Sequence, residues 1–233
     1  MIDKLHIYGD SYSDSYNEIR HWPNFTSYIA ELEKKYKVTN FSKKGCSAYY
    51  VINKLSNNIK KLKNTELSDT YCFIALPCPR RLDLKFLNDQ ATFSQVQKKS
   101  SNEFKEKFVN IFGQENLDFI IKWNENNTNL NEFVLTQTLS VLALSKYYKK
   151  VLIWNTDVLQ HDVSPTYLEL IDKNVNSNQT MCYVPMEFFH IDGDYPNHFL
   201  TDIHTQMYDI IVNWIENENL DITNLVKLQN KYI

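Results

Sequence analysis

Glycine is scarce in this chain, with four in 233 residues. Glycine is needed where a backbone turns sharply or approaches another group closely, so each one is expected to answer a specific demand. The shortage also excludes the glycine-rich cradles that hold phosphates. Neither Gly-x-x-x-x-Gly-Lys nor Gly-x-Gly-x-x-Gly occurs, which disfavours nucleotide and dinucleotide binding. Cysteine is equally scarce. Cys46, Cys72, Cys78 and Cys182 are irregularly spaced and include no Cys-x-x-Cys pair, so they are expected to be reduced thiols outside any disulfide framework or zinc ribbon. No excess of positive charge is present, since 25 Lys and Arg face 28 Asp and Glu for a net charge of −3. That balance argues against a nucleic-acid partner, which needs a broad basic footprint.

Long apolar runs are absent too. No window approaches the roughly 18 apolar residues of a membrane-spanning helix. The first residues, Met1 to Tyr8, show neither the apolar stretch nor the cleavage site of a signal peptide. A cytoplasmic protein, or a component of a phage or virus particle, is the expected setting. What the chain does have is 43% hydrophobic and 23% charged residues. That composition suits one globular domain over residues 1–233 with a sizeable core.

The order of its patterns is an alternation. Leu5 to Tyr8 is a short apolar run that stops at Gly9 and reads as a strand. Apolar residues then recur at helical spacing from Asn24 to Tyr36, with Pro23 as a start signal. Val38 to Phe41 predicts a second strand, and Tyr49, Ile52, Leu55, Ile59 and Leu62 step along a helix whose outer face is rich in lysine. Tyr71 to Leu76, ended by Pro77, is the continuous apolar run of a strand buried on both faces. From Arg80 to Asn129 the composition turns polar, with helical stretches at Glu103 to Phe112 and Leu117 to Trp123, and reads as an insertion or lid. Helical spacing returns from Phe133 to Leu144, Val151 to Trp154 supplies a fourth strand and Cys182 to Val184 a short fifth. Phe199 to Ile215 is the closing helix. Alternating strands and helices without an internal repeat predict an α/β fold with a mostly parallel sheet and helices on both faces. Ligands in such folds sit beyond the carboxyl ends of the strands.

The chemistry-bearing residues fall at those ends. Gly9-Asp10-Ser11-Tyr12-Ser13-Asp14 follows the first strand and presents Ser11 as a nucleophile or, in the plainer reading, as a helix cap. A serine nucleophile needs a base, a group to orient it and donors for the oxyanion. The acidic loop His190-Ile191-Asp192-Gly193-Asp194-Tyr195-Pro196-Asn197-His198 offers the first two. Gly45, after the second strand in Ser42-Lys43-Lys44-Gly45-Cys46-Ser47, offers an unencumbered backbone N–H. The same acidic loop suits a metal ion by residue type, but it matches neither His-Glu-x-x-His nor a calcium loop with its closing Glu.

These segments resemble the SGNH hydrolases, also called GDSL esterases and lipases. Gly9-Asp10-Ser11-Tyr12-Ser13-Asp14 is similar to the family's first block, with Ser11 at the nucleophile. Gly45, preceded by Asn40-Phe41-Ser42, is similar to the second, whose glycine N–H joins that of the nucleophile in the oxyanion hole. His198-Phe199-Leu200-Thr201-Asp202-Ile203-His204 resembles the last, with His198 at the catalytic base. The resemblance implies a three-layer αβα sandwich around a central, mostly parallel sheet of about five strands, flavodoxin-like in topology. It also implies a serine esterase or deacetylase acting on short acyl esters, including O-acetyl groups on carbohydrate, with no metal or organic cofactor.

Two departures stand out. The family's third block, Gly-x-Asn-Asp, supplies a third oxyanion donor, yet here Leu76 runs into Pro77-Cys78-Pro79-Arg80-Arg81. Arg80 and Arg81 are candidate oxyanion or substrate contacts, or partners of surface carboxylates. The family's Asp stands three residues before its His, a position held here by Tyr195. Asp194 is the favoured orienting group, with Asp192 as the alternative, and His204 is a rival base that is expected to pack or face solvent. The altered third block also leaves open a catalytically impaired, carbohydrate-binding or particle-associated protein of the same fold.

Overall fold

A computed structural model describes residues 3–9, 13, 27–43, 46–62, 64–77, 106, 109–110, 113–127, 130–155, 163–183 and 201–224. Five strands, β1 (Lys4–Tyr8), β2 (Lys37–Asn40), β3 (Thr70–Leu76), β4 (Lys150–Asn155) and β5 (Gln179–Cys182), form one sheet in the order β2-β1-β3-β4-β5. Every pairing is parallel. This is the doubly wound, flavodoxin-like order, with its topological switch between β1 and β3.

The helices described in full are α1 (Tyr28–Lys35), α2 (Ala48–Lys61), α3 (Asn64–Leu67), α4 (Gln114–Asn127), α5 (Leu130–Ser145), α6 (Pro165–Asn174) and α7 (Thr201–Asn217). Strand residues alternate between two separate cores because side chains two apart share a face. On β3, Tyr71, Phe73 and Ala75 join α1 and α7, in a core with Trp154, Ile203, Met207, Ile211 and Trp214. Cys72, Ile74 and Leu76 face the opposite way, towards Val51 and Leu55 of α2, Val141 and Leu142 of α5 and Ile171 of α6. A helix layer covers each face, so β3 is buried along its whole length and its sequence reads as an unbroken apolar run.

Several expectations shift. Helix α1 begins at Tyr28, where the Ser27 hydroxyl accepts the Ala30 N–H at 3.2 Å and caps the first turn; residues 24–26 lie outside the described residues. In α2 the buried stripe is Ala48, Val51 and Leu55, and Tyr49, expected on that stripe, is 40% exposed. Strand β5 runs over Gln179–Cys182 rather than from Cys182 to Val184, because its pairing with β4 begins at Val151 opposite Gln179. Helix α6 has no counterpart in the sequence reading, although Ser164-Pro165 is a helix-start signal. Among the described residues no helix is long and apolar enough to cross a membrane.

Candidate active site

The carboxyl edge of the sheet is where the topology opens a crevice, and the turn after β1 stands at its switch point. Gly9 ends β1 there for a steric reason. A Cβ on Gly9 would lie 2.8 Å from Ser13 Oγ, 3.0 Å from Ser13 Cβ and 3.1 Å from the Cβ of Ala75 on β3. Only a residue without a side chain lets the turn pack this closely against the central strand.

The far side of the same turn is pinned by Ser13. Its side chain is fully buried, and Tyr28 donates its hydroxyl proton to Ser13 Oγ at 2.9 Å. Its carbonyl accepts a hydrogen bond from Asn40 Nδ2 at 2.7 Å. Asn40 closes β2, opposite Ile7 of β1, and its Oδ1 accepts the Ser42 N–H at 2.9 Å in an Asx turn that starts the next loop. One side chain therefore bridges the loops after β1 and β2. A second bridge runs through the Gly9 carbonyl, which accepts from the Lys43 N–H at 3.0 Å and from the Cys46 thiol at 3.2 Å. The two loops are joined at three points, and both proposed oxyanion donors belong to them by sequence, Ser11 between Gly9 and Ser13 and Gly45 between Lys43 and Cys46.

The candidates Ser11, Gly45, Arg80, Arg81, Asp192, Asp194 and His198 themselves lie outside the described residues, as does the acidic loop from His190 to His198. His204 is described, and it packs. It is buried on α7, its ring stacks on Tyr28 with centroids 5.6 Å apart, and its Nδ1 accepts the Tyr28 N–H at 3.3 Å. Accepting at Nδ1 puts the proton of the neutral ring on Nε2 and gives His204 the task of capping α1. Cys46, Cys72 and Cys182 are buried thiols outside any disulfide.

Neither a family model nor a curated protein matches this chain. Solved structures do resemble it. They include a lipolytic protein of the G-D-S-L family from Veillonella parvula, 10% identical, covering 88% of this chain and 94% of that one with a TM-score of 0.47. Another is the psychrotrophic esterase EstA from Pseudoalteromonas sp., 13% identical over 91% of this chain and 98% of that one, with a TM-score of 0.45. A catalytic mutant of an acetylxylan esterase from Geobacillus stearothermophilus is 11% identical, with coverages of 92% and 94% and a TM-score of 0.41. The fold itself stands on the strand order and the parallel pairings above.

Beneath this edge, on the α2 side of the sheet, lies a second polar cluster that sequence reasoning missed. Asn58 Nδ2 donates to the Tyr8 hydroxyl at 2.7 Å, Tyr8 and Tyr148 share a bond of 2.7 Å, and Tyr148 meets His6 Nδ1 at 3.1 Å. Asn58 donates to the Tyr8 hydroxyl, and between Tyr8 and Tyr148 either hydroxyl can be the donor. Phe41 stacks on Tyr8 and meets His6 edge-on. Burial, with the Lys4 charge as a smaller contribution, lowers the His6 pKa to about 4 and keeps the imidazole neutral. The signals for the missed residues were thin: Asn40 only as the first residue of an Asn-Phe-Ser turn, and His6 and Tyr8 only as polar positions in an otherwise apolar strand.

Proposed function

We propose that the protein is a serine hydrolase of acyl esters, with Ser11 as nucleophile, His198 as base and Asp194 as the group that orients it. What supports this reading is the joined pair of loops. The segment Gly9-Asp10-Ser11 follows β1 at the switch point, and the Gly9 carbonyl is hydrogen-bonded to residues on either side of Gly45. Chain connectivity keeps Ser11 within two residues of Gly9 and Gly45 within one of Cys46. Preorganised backbone donors next to a serine at a strand end are what acyl transfer requires.

In this reading Ser11 Oγ attacks the ester carbonyl carbon while His198 takes its proton. The N–H groups of Ser11 and Gly45 stabilise the resulting oxyanion. Collapse expels the alcohol, which receives the proton from His198, and water then cleaves the acyl-enzyme by the same base, releasing the carboxylic acid. The absent Asn after β3 removes one oxyanion donor, a change worth about 10²–10³ in rate where it has been removed by mutation, so turnover is slow unless Arg80 or Arg81 compensates. Short acyl groups, acetyl on carbohydrate among them, are the preferred substrates, and the polar segment at 80–129 shapes their binding as an insertion or lid.

The test is hydrolysis of 4-nitrophenyl acetate together with fluorophosphonate labelling read by intact mass. Wild type takes a single label and turns over the ester; Ser11→Ala takes none, and both Ser11→Ala and His198→Ala lose turnover while unfolding at the wild-type temperature. A folded wild type that neither labels nor hydrolyses any acyl ester would refute the assignment and favour a binding protein on the same fold.

A further inference from the structure

Buried polar atoms in folded proteins almost always find a hydrogen-bond partner, so each exception in a native structure calls for an explanation. Among the described residues, Ser42 Oγ, Asn155 Nδ2, Tyr183 OH and Thr138 Oγ1 are buried without one. Three of these share a location. Asn155 is the last residue of β4, Tyr183 directly follows β5 and Ser42 stands two residues beyond β2, so all three lie at the carboxyl edge of the sheet. Thr138, within α5, does not.

Asn155 is the sharpest case. It is 5% exposed, at the end of a strand whose preceding residues Val151 to Trp154 are fully buried and apolar. It pairs in register with Leu76, the last residue of β3. A buried amide with an unused N–H₂ costs stability in the empty protein, and a leucine of similar size would serve the core better. A polar group kept at such a cost, at the edge where α/β folds bind ligands, is poised to be satisfied by the ligand.

Its distance from β1 decides what it binds. Neighbouring strands are about 4.8 Å apart, and β4 is two strands from β1, so Asn155 is about 10 Å from the strand that leads to Ser11. That is too far for the oxyanion itself, which must lie about 3 Å from its donors. It is about one sugar ring away.

We infer that Asn155 is a specificity-determining residue, whose side-chain N–H₂ donates a hydrogen bond to a hydroxyl oxygen of the substrate about one ring from the reacting ester. This rests on the esterase reading and narrows it to esters of polyhydroxylated, sugar-like alcohols. A site built to hydrogen-bond a hydroxyl discriminates strongly against substrates that lack it, because the protein group is then left unpaired.

The experiment compares kcat/KM for a mono-O-acetyl methyl glycoside with that for 4-nitrophenyl acetate, which has no hydroxyl, in wild type, Asn155→Leu and Asn155→Asp. In Asn155→Leu the ratio of sugar ester to aryl ester falls at least about tenfold, through a raised KM for the sugar ester, and the melting temperature stays level or rises. Asn155→Asp retains more of the ratio than Asn155→Leu, because a hydroxyl can donate to the carboxylate. An unchanged ratio in Asn155→Leu, with both esters still hydrolysed, overturns the inference and leaves the esterase reading intact. A markedly lower melting temperature in that variant overturns it as well, since it would mean that the amide is already satisfied within the fold. If Asn155→Asp falls as far as Asn155→Leu, the hydroxyl assignment is wrong. Failure of wild type to hydrolyse either ester or to label at Ser11 overturns the esterase reading itself, and this inference with it.

Discussion

Acidification should weaken this protein through one side chain. His6 lies on β1, 9% exposed, among Tyr8, Phe41 and Tyr148, and takes a proton only near pH 4. In the unfolded chain the same imidazole titrates near its ordinary value of 6.5. Between those values the unfolded state binds more protons than the folded one, so stability falls as pH falls. The contribution is fully present above pH 6.5 and is lost progressively down to pH 4. A shift from 6.5 to about 4 corresponds to about 3 kcal/mol in all, and about 2 kcal/mol of it is already gone at pH 5. The hydrogen-bond chain gives the loss a structural form. A protonated Nδ1 can only donate to the Tyr148 oxygen, so the imidazolium forgoes any bond from the Tyr148 hydroxyl and its charge is left among buried aromatic rings. Urea unfolding at pH 8, 6 and 5 measures this in wild type and in His6→Gln, whose side-chain oxygen can still accept from Tyr148 without titrating. Carboxylates such as Glu216 and Glu218, whose pKa values are lowered by hydrogen bonds from Lys35 and Lys150, weaken both proteins alike on acidification and cancel in the difference. Wild type should lose about 2 kcal/mol more than His6→Gln between pH 8 and pH 5. Parallel pH profiles for the two proteins would refute the reasoning.

Other predictions follow from the joined loops. Gly9→Ala should cost about 1–3 kcal/mol, since its methyl meets Ser13 and Ala75 at 2.8–3.1 Å; in thermal unfolding Ala75→Gly should recover part of that loss, and no recovery would show that the clash lies elsewhere. Asn40→Asp keeps the acceptor for the Ser42 N–H but sets a carboxylate against the Ser13 carbonyl, so it should lose about 1–3 kcal/mol at pH 8 relative to wild type. That deficit should shrink at pH 5 as the carboxyl gains a proton to donate, which urea unfolding of both proteins at the two pH values would show. Tyr28→Phe should cost about 1 kcal/mol by removing the donor to buried Ser13 Oγ, and adding Ser13→Ala should cost little more. A double-mutant cycle with fully additive losses would count against that bond.

Much of the architecture could be read from the chain because burial on both faces leaves a plain mark. Tyr71 to Leu76 and Val151 to Trp154 are unbroken apolar runs, and the structure has both as inner strands. The edge strand β5 was misplaced because Gln179-Thr180-Met181-Cys182 is half polar, and only its pairing with Val151 to Trp154 sets its limits. The glycine after β1 was also legible as a tight turn. What it packs against was not, since Ser13, Asn40, Cys46 and Ala75 converge on that turn from separate parts of the chain. The role of His204 turned on a bond to Tyr28, 176 residues away in sequence, which no local pattern announces.

The path from Ser13 through Tyr28 to His204 also bears on synthesis. The turn after β1 leaves the ribosome ahead of α7, yet the group that caps the helix bracing it belongs to α7, 176 residues beyond Tyr28. A nascent chain that ends before residue 204 has all five strands and the whole core on the α2 side, but the Tyr28 amide has yet to meet His204. The bracing of that turn is therefore completed only when α7 is made, and a protein truncated ahead of His204 loses the cap on α1 that supports it.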